Sequence, residues 1–338
     1  MMPTEHFARM TVDRLQRAAC AAGAMLAAAL LAGCLPGNAV EGTFDRTFNV
    51  NGPVELEVTT GSGDVHIAPG VGGRVEVRGT IHAHGWSSDE SRDKLAAIEA
   101  NPPISQENNL IRVGGVGRRS NSNEVSIDYM IEVPATTELH CVAGSGDVTV
   151  RGIDGPATFT AGSGSVTASN IGGDVQTLAG SGDVTISHVQ GQVQVTTGSG
   201  NIEVHSAKGA VHIHTGSGDV KIEDPGEEAV ADTGSGNVDV HSARADLRVH
   251  TASGGITVEG NPGASNYWDF RASSGDVSLR VPSSASFRLY AHTSSGDIDA
   301  QIPIVMEGTS AKHELRARIG DGKARVEVET SSGKITLH

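Results

Sequence analysis

The sequence has few aromatic residues and very few cysteines, and both shortages limit the fold. Aromatic residues make up 3% of the 338 residues, and there are three cysteines. A single large globular core usually contains more Phe, Leu and Trp, whereas a narrow core of Val, Ile and Ala between stacked strands does not need them. Basic residues are scarce too, since 25 Lys and Arg stand against 40 Asp and Glu. Without a basic stripe to neutralise phosphates, the chain is not predicted to bind nucleic acid.

The N-terminal segment is predicted to direct export. Arg14 and Arg17 form a basic region, and the apolar stretch 18–30 is too short to span a bilayer comfortably. It ends in Leu31-Ala32-Gly33-Cys34, which resembles the bacterial lipoprotein signal. That resemblance implies cleavage before Cys34, acylation of its sulfur and of the new N-terminus, and membrane anchoring. In a Gram-negative host, Leu35 indicates the outer membrane. The alternative is an ordinary cleaved signal followed by a chance cysteine.

The other cysteines agree with this interpretation. Cys20 leaves with the signal peptide and Cys34 is lipidated, so Cys141 has no disulfide partner in the mature chain. Cys141 stands where aliphatic residues stand in other repeats, and we expect it to be a buried small hydrophobe. Removing residues 1–33 takes away three basic and two acidic side chains, which leaves 22 against 38, a net charge of −16.

An 18-residue repeat organises the rest of the chain. A Ser-Gly pair places its glycine at 146, 164, 182, 200, 218, 236 and 254, and less regularly at 63, 275, 296 and 333. Counting this glycine as position 0, positions 2 and 4 and positions 11 and 13 are mostly aliphatic, with polar residues between them. Two alternating strands per repeat predict an all-β fold, a parallel β-solenoid (β-helix) with two-strand rungs. Eleven or twelve rungs would form a rod on the order of 50 Å long.

Glycines are expected to form both corners of each rung. They recur at position 0 and again at position 9, as in Gly155 and Gly209. Because glycine adopts positive φ at no steric cost, we expect positive φ at both corners.

The chain divides into four regions on this pattern. Residues 1–33 are the signal peptide, 34–43 a lipidated tether, 44–134 an N-terminal β region, and 135–338 the repeat domain with wider capping rungs after 254. One helix is predicted at about 88–100, because acidic residues enrich its first turn and Pro102-Pro103 stops it. It is expected to cover an end or side of the rod.

The C-terminal segment is predicted to contain a rung that matches the repeat only in part. Val326 and Val328 fit the second-strand positions of the repeat, and we expect Glu327–Leu337 to cap the far end.

The motifs together resemble a bacterial family of adhesin-like, β-strand-repeat-containing proteins of unknown function. The matching stretches are Tyr129-Met130-Ile131-Glu132-Val133-Pro134, the repeated Gly-Ser-Gly-Asp/Asn-Val, Leu279-Arg280-Val281-Pro282, Ser294-Ser295-Gly296-Asp297-Ile298 and Glu329-Thr330-Ser331-Ser332-Gly333-Lys334-Ile335. The resemblance covers about residues 44–338. It implies a β-solenoid at the cell envelope and brings no catalytic residues or cofactor with it.

Three columns of polar residues are candidate sites. Position 1 alternates acidic and neutral residues, which fits turn hydrogen bonding and amide ladders; calcium binding is the alternative. The column is Asp147, Ser165, Asp183, Asn201, Asp219 and Asn237. Two outward columns alternate histidine with carboxylate, which suits zinc or copper. They are position 5, with His205, Glu223, His241 and Glu259, and position 14, with His214, Asp232 and His250. Position 3 alternates charge as well, so solvated ladders are the favoured interpretation and a metal site is the alternative.

Three functions remain open. The first is a non-catalytic binding, adhesin-like or scaffolding module, with an envelope polysaccharide or a protein as partner. The second is a structural envelope or stress-response component, and the third a glycan-active enzyme, for which no nucleophile elbow, phosphate loop or acid–base pair is present. An exposed groove lined by Tyr267, Trp268 and Tyr290 would favour the first over the second.

Overall fold

The computed structural model describes residues 40–83, 88–115, 125–307 and 311–338, so the predicted signal peptide and Cys34 lie outside the described residues. Within these ranges the chain forms one helix and 29 strands. The helix α1 spans Ser88–Ala100, the range predicted from sequence. No helix of the described residues is long and apolar enough to cross a membrane.

The strands follow one another along the chain with short connections. They are β1 (Val40–Asn49), β2 (Val54–Thr60), β3 (Val65–Pro69), β4 (Arg74–Ala83), β5 (Ile104–Glu107), β6 (Leu110–Gly114), β7 (Val125–Val133), β8 (Thr137–Ala143), β9 (Val148–Ile153), β10 (Ala157–Ala161), β11 (Val166–Ile171), β12 (Val175–Ser181), β13 (Val184–Val189), β14 (Val193–Ser199), β15 (Ile202–Ala207), β16 (Val211–Ser217), β17 (Val220–Pro225), β18 (Ala229–Ser235), β19 (Val238–Ala243), β20 (Leu247–Ser253), β21 (Ile256–Gly260), β22 (Tyr267–Ser274), β23 (Val277–Arg280), β24 (Phe287–Thr293), β25 (Ile298–Ala300), β26 (Val305–Met306), β27 (Glu314–Ile319), β28 (Ala324–Thr330) and β29 (Ile335–Leu337).

These strands form two facing sheets. In the described residues, the first sheet has the order β1-β4-β7-β3-β9-β11-β13-β15-β17-β19-β21-β23-β29-β25, and the second β26-β27-β24-β28-β22-β20-β18-β16-β14-β12-β10-β8-β2-β6-β5. The run from β7 to β25 and the run from β6 to β24 each contain twelve strands paired in parallel. This confirms the predicted parallel β-solenoid and its eleven or twelve rungs.

Each sheet has a third inward position that the sequence pattern did not reveal. Positions 2 and 4 of the first sheet and 11 and 13 of the second are buried as predicted, and position 7 and position 15 join them. Position 15 is often threonine, and its hydroxyl donates to a corner carbonyl, as Thr251 Oγ1 does to Gly236 O at 3.2 Å. Inward threonines therefore fasten one corner of the rod from inside.

The two corners use glycine for different reasons. At position 0, Gly200 has φ +143°, and a Cβ there would lie 2.1 Å from Gly182 O. At position 9, Gly209 has no positive φ, but its Cβ would lie 2.6 Å from Gly191 O. Positive φ at the second corner falls instead at position 6, for example at Asn170 and Ser206. The expectation of positive φ at position 9 was therefore wrong. Glycine is needed there because successive rungs stack so closely that a Cβ would clash with the neighbouring backbone.

The rod begins earlier than predicted. Strand β1 starts at Val40, inside the segment assigned to the tether, because it pairs antiparallel with β4 from Val40↔Ala83 onward. Strands β2 and β3 pair in parallel with β8 and β9. The solenoid therefore extends into the N-terminal β region and does not start at 135.

Helix α1 covers the N-terminal end of the rod, as expected. It packs on β1 so closely that a Cβ on Gly42 would lie 2.8 Å from Leu95 Cδ1. The Arg46 guanidinium donates to the Glu99 carbonyl at 3.1 Å. The helix shields sheet surface that would otherwise be open to another chain.

The C-terminal strands do not cap the far end. Strand β28 lies between β22 and β24, and β29 lies between β23 and β25. Val326 and Val328 occupy second-strand positions as predicted, opposite Trp268 and Phe270. The capping role assigned to Glu327–Leu337 was wrong, because the antiparallel β26–β27 pair lies beyond β24 and the last strands insert one rung earlier.

Candidate functional site

A groove of about 580 Å³ runs along the second sheet, and we call it the axial groove. Its wall is the position-14 column of six neighbouring strands, β16, β18, β20, β22, β28 and β24. In spatial order this column is His214, Asp232, His250, Arg271, Glu329 and His292. Its floor is made of small corner residues such as Gly234, Ala252 and Ser273. Five strand spacings give the groove a length of about 24 Å.

Carboxylates are interspersed with histidine and arginine side chains along the wall, and some neighbours are paired. His250 Nδ1 lies 3.1 Å from Asp232 Oδ1, and Arg271 Nε lies 3.9 Å from Glu329 Oε2. Beside the wall on the same strand, the buried carboxylate of Asp269 lies 3.0 Å from Arg271 Nε and raises the pKa of that guanidinium. The carboxylates therefore fix the orientation of the basic side chains.

Two histidine ring nitrogens in the wall have no hydrogen-bond partner among the described residues. His250 Nε2 and His292 Nδ1 are buried and make no hydrogen bond within the described residues. The Asp269 carboxylate is 3.9 Å from His250 Nε2, beyond hydrogen-bonding distance. Both rings keep unused hydrogen-bonding capacity in the wall.

The sequence pattern found half of this wall. His214, Asp232 and His250 were candidates, and the structure places them on consecutive strands. Arg271, Glu329 and His292 were missed because the repeat lengthens after residue 254 and because β28 inserts out of order. The sequence did contain a signal for these three residues, since each directly follows a core residue at position 13.

The second predicted column lies on the first sheet. His205 Nδ1 is 3.0 Å from Glu223 Oε2, His205 Nε2 is 3.5 Å from Glu203 Oε2, and His241 Nδ1 is 3.4 Å from Glu259 Oε2. Glu223 and His241 are register partners. These contacts fit ladders of opposite charge on the rod surface.

The metal alternative has no assembled site in the described part of the chain. No group of three or more His, Cys, Asp or Glu is arranged there to hold a metal ion. The columns at positions 5 and 14 bring histidine and carboxylate together in pairs. Zinc binding by either column stays a prediction, which titration of the histidine ring signals with zinc tests.

The position-1 column holds successive rungs together. Asp183 Oδ1 accepts the backbone N–H of Asn201 at 2.8 Å, and Asn201 Oδ1 accepts that of Asp219 at 3.1 Å. The pattern repeats on neighbouring rungs. These oxygens therefore take part in the corner hydrogen bonding that the sequence predicts.

The aromatic residues do not form the groove that would favour a binding module. Trp268 is fully buried, lies 5.9 Å from the Phe270 ring, and its Nε1 donates to Ala245 O at 2.7 Å. The Tyr267 hydroxyl donates to the Glu327 carboxylate. Of the three, Tyr290 alone lines a groove among the described residues, next to Arg316. Trp268 is core because position 11 faces inward.

A second cavity of about 400 Å³ lies beneath α1. Its lining includes Ala97 and Ile98 from the helix and Ile127 and Tyr129 from β7. Burial raises the pKa of the Tyr129 phenol. The helix is therefore less closely packed than the rungs that follow it.

Cys141 is buried in the core, as predicted, with 2% of its surface exposed. Burial raises the pKa of its thiol to about 12. The side chain therefore behaves as a small apolar residue.

Comparison with known proteins identifies the family. The model of the Toastrack DUF4097 family matches residues 54–232 and 210–338. The chain belongs to this family. The match spans the parallel rungs and agrees with the solenoid described above. Among curated proteins, none matches the chain.

Several solved structures resemble this Toastrack chain weakly. A proposed cell adhesion protein from Clostridium sporogenes is 13% identical, with 88% of this chain and 99% of that chain covered and a TM-score of 0.20. A proposed adhesin from Bacteroides fragilis is 14% identical, with 88% and 97% covered and a TM-score of 0.34. A proposed lipid binding protein from Parabacteroides distasonis is 11% identical, with 88% and 96% covered and a TM-score of 0.29.

Proposed function

We propose that the protein is a lipid-anchored module of the cell envelope that binds or scaffolds other envelope components without catalysis. The axial groove is the observation that carries this proposal. It presents six charged or titratable side chains in one line on a sheet whose backbone is fully paired across these strands. Such a row suits recognition of an elongated partner.

The spacing of the groove carboxylates supports binding over catalysis. Asp232 and Glu329 are three strands apart in the sheet, a distance of about 14 Å. Glycoside hydrolases place their two carboxyl groups about 5–9.5 Å apart. The two carboxylates lining the groove therefore do not form such a pair.

Membrane attachment rests on Cys34 and the lipoprotein-like segment before it. Metabolic labelling with a radioactive fatty acid tests it. The parent chain is expected to carry the label and to sediment with membranes, and Cys34→Ala is expected to lose the label. A labelled Cys34→Ala chain would contradict the proposed attachment.

The binding role is tested by capture from solubilised envelope fractions. Ala252 is exposed on the groove floor, so Ala252→Trp fills the groove without removing a wall residue. Ser187→Trp adds the same ring to the other sheet, in the column of His205. We expect the parent and Ser187→Trp to retain the same component and Ala252→Trp to lose it. Equal retention by all three would refute the groove as the binding face.

A purely structural role is the second candidate, and the burial of Trp268 favours it. Trp268 offers no stacking platform to a ligand, since that ring belongs to the core. On this alternative Ala252→Trp leaves every binding measurement unchanged, whereas substitutions in the core lower the stability of the rod.

A further inference from the structure

The axial groove offers no means of recognising an extended polypeptide through its backbone. Each strand beneath the wall from β18 to β28 has hydrogen-bonded neighbours on both sides, so no free sheet edge is available. The apolar residues in the lining are Ala252 and Ala272, which are too small to form anchoring pockets. Recognition in the groove must therefore come from polar side chains.

The charges of the groove also select against polyelectrolytes. Asp232 lies against His250, and Glu329 lies near Arg271, so carboxylates and nitrogen-bearing side chains are interspersed along the wall. A polyanion would meet these carboxylates and a mature chain of net charge −16. A polycation would meet the Arg271 guanidinium in the middle of the wall. An uncharged ligand avoids both conflicts.

Sugar hydroxyls match the remaining chemistry. A hydroxyl both donates and accepts hydrogen bonds, and the wall presents carboxylate acceptors interspersed with nitrogen donors on strands about 4.8 Å apart. His250 Nε2 and His292 Nδ1 have no partner among the described residues. A buried polar atom without a partner is destabilising, and a ligand rich in hydroxyls supplies the missing partners once the rings adjust.

The shape of the groove indicates a chain rather than a single sugar. The wall extends over six strands, about 24 Å, parallel to the rod axis. Towards the N-terminus the same column continues with neutral residues, namely Thr196, Leu178, Thr160 and Val142. The charged half of the column therefore defines one end of a longer track.

We propose that the axial groove binds an uncharged, linear polysaccharide lying along the rod axis. Asp232, His250, Arg271, Glu329 and His292 form its hydrogen-bonding wall, and Gly234, Ala252 and Ser273 leave room for the sugar rings. This inference rests on the proposed binding function and names the ligand class for the same site.

Retention on insoluble polysaccharides tests the inference. The complete chain, purified in detergent, is incubated with cellulose and chitin as uncharged probes, with cross-linked polygalacturonate as the anionic probe and with chitosan as the cationic one. We expect retention on an uncharged probe and at least tenfold weaker retention on either charged probe. Retention on a charged probe alone, or on no probe, overturns the inference.

Two matched pairs of variants locate the binding. The double variant His250→Ala/His292→Ala is expected to weaken retention at least tenfold, whereas His205→Ala/His241→Ala in the other sheet leaves it unchanged. Ala252→Trp removes retention while keeping every wall residue, and Ser187→Trp does not. Thermal unfolding confirms that each variant is folded, and unchanged retention by folded Ala252→Trp overturns the inference.

The outcome separates this inference from the broader proposal. Capture of a defined envelope component by the parent and not by Ala252→Trp, without retention on cellulose or chitin, supports the binding function and overturns the polysaccharide assignment. If the parent chain captures no envelope component and is not retained on cellulose or chitin, both the binding function and the polysaccharide assignment are overturned.

Discussion

At the residue scale, the corners of the rod depend on glycine where successive rungs meet. Gly200 combines a positive φ with a neighbouring carbonyl so close that no Cβ fits. Gly255 has ordinary φ, and a Cβ there would meet nothing nearer than 3.4 Å. The two glycines lie at the same corner of different rungs, Gly200 at position 0 and Gly255 at position 1.

Gly200→Ala is therefore expected to destabilise the chain by about 1–3 kcal/mol, because alanine is strained at this φ and the preceding rung must move. Gly255→Ala is expected to be near neutral. Chemical denaturation of both variants measures the difference, and equal free energies of unfolding would contradict this account of the corner.

The position-1 ladder makes a second residue-scale prediction. Asp183→Ala removes the acceptor for the Asn201 N–H and is expected to lower the unfolding midpoint by about 2 °C. Asp183→Asn keeps an oxygen in the same place and should restore most of the loss. If the asparagine variant is as unstable as the alanine variant, charge rather than the hydrogen bond is responsible.

Cys141 provides a direct test of core packing. Because its thiol is buried and its pKa raised to about 12, we expect no reaction with a thiol reagent at pH 8 in the folded protein. Reaction should begin only as the chain unfolds, which absorbance follows in a denaturant series. Rapid labelling under native conditions would show that the core near β8 opens.

At the element scale, the last two strands complete rungs in the middle of the C-terminal region. Strand β28 lies between β22 and β24, so removing it leaves β24 without its parallel neighbour. Ending the chain at Lys323 is expected to expose residues 287–319 to limited proteolysis. Adding a peptide of residues 324–338 should restore protection, and protection without the peptide would contradict the strand order.

The predictable elements are those that follow the repeat. The strands from β9 to β21 and helix α1 agree with the pattern because hydrophobic alternation and the stop signals are local. The insertion of β28 depends on a contact between segments about 60 residues apart, as in Trp268↔Val326, and local periodicity cannot order such strands. The missed half of the groove wall follows from the same cause.

At the scale of the whole molecule, the described residues form a rod of twelve parallel rungs with different ends. Helix α1 covers the N-terminal end, and β26 and β27 lie beyond the last parallel strand at the other. Position 14 is neutral in the first half of the rod and charged in the second. The proposed binding face is the charged half.

Histidine-selective NMR of the complete chain in detergent, with cello-oligosaccharide added, tests this claim most directly. The chain carries its own control, because His214, His250 and His292 line the axial groove whereas His205 and His241 lie in the other sheet. We predict that the ring signals of the groove histidines shift with saturable dependence on the sugar and that the other two stay unchanged. Shifts confined to His205 and His241, or no shift at any histidine, would contradict the account.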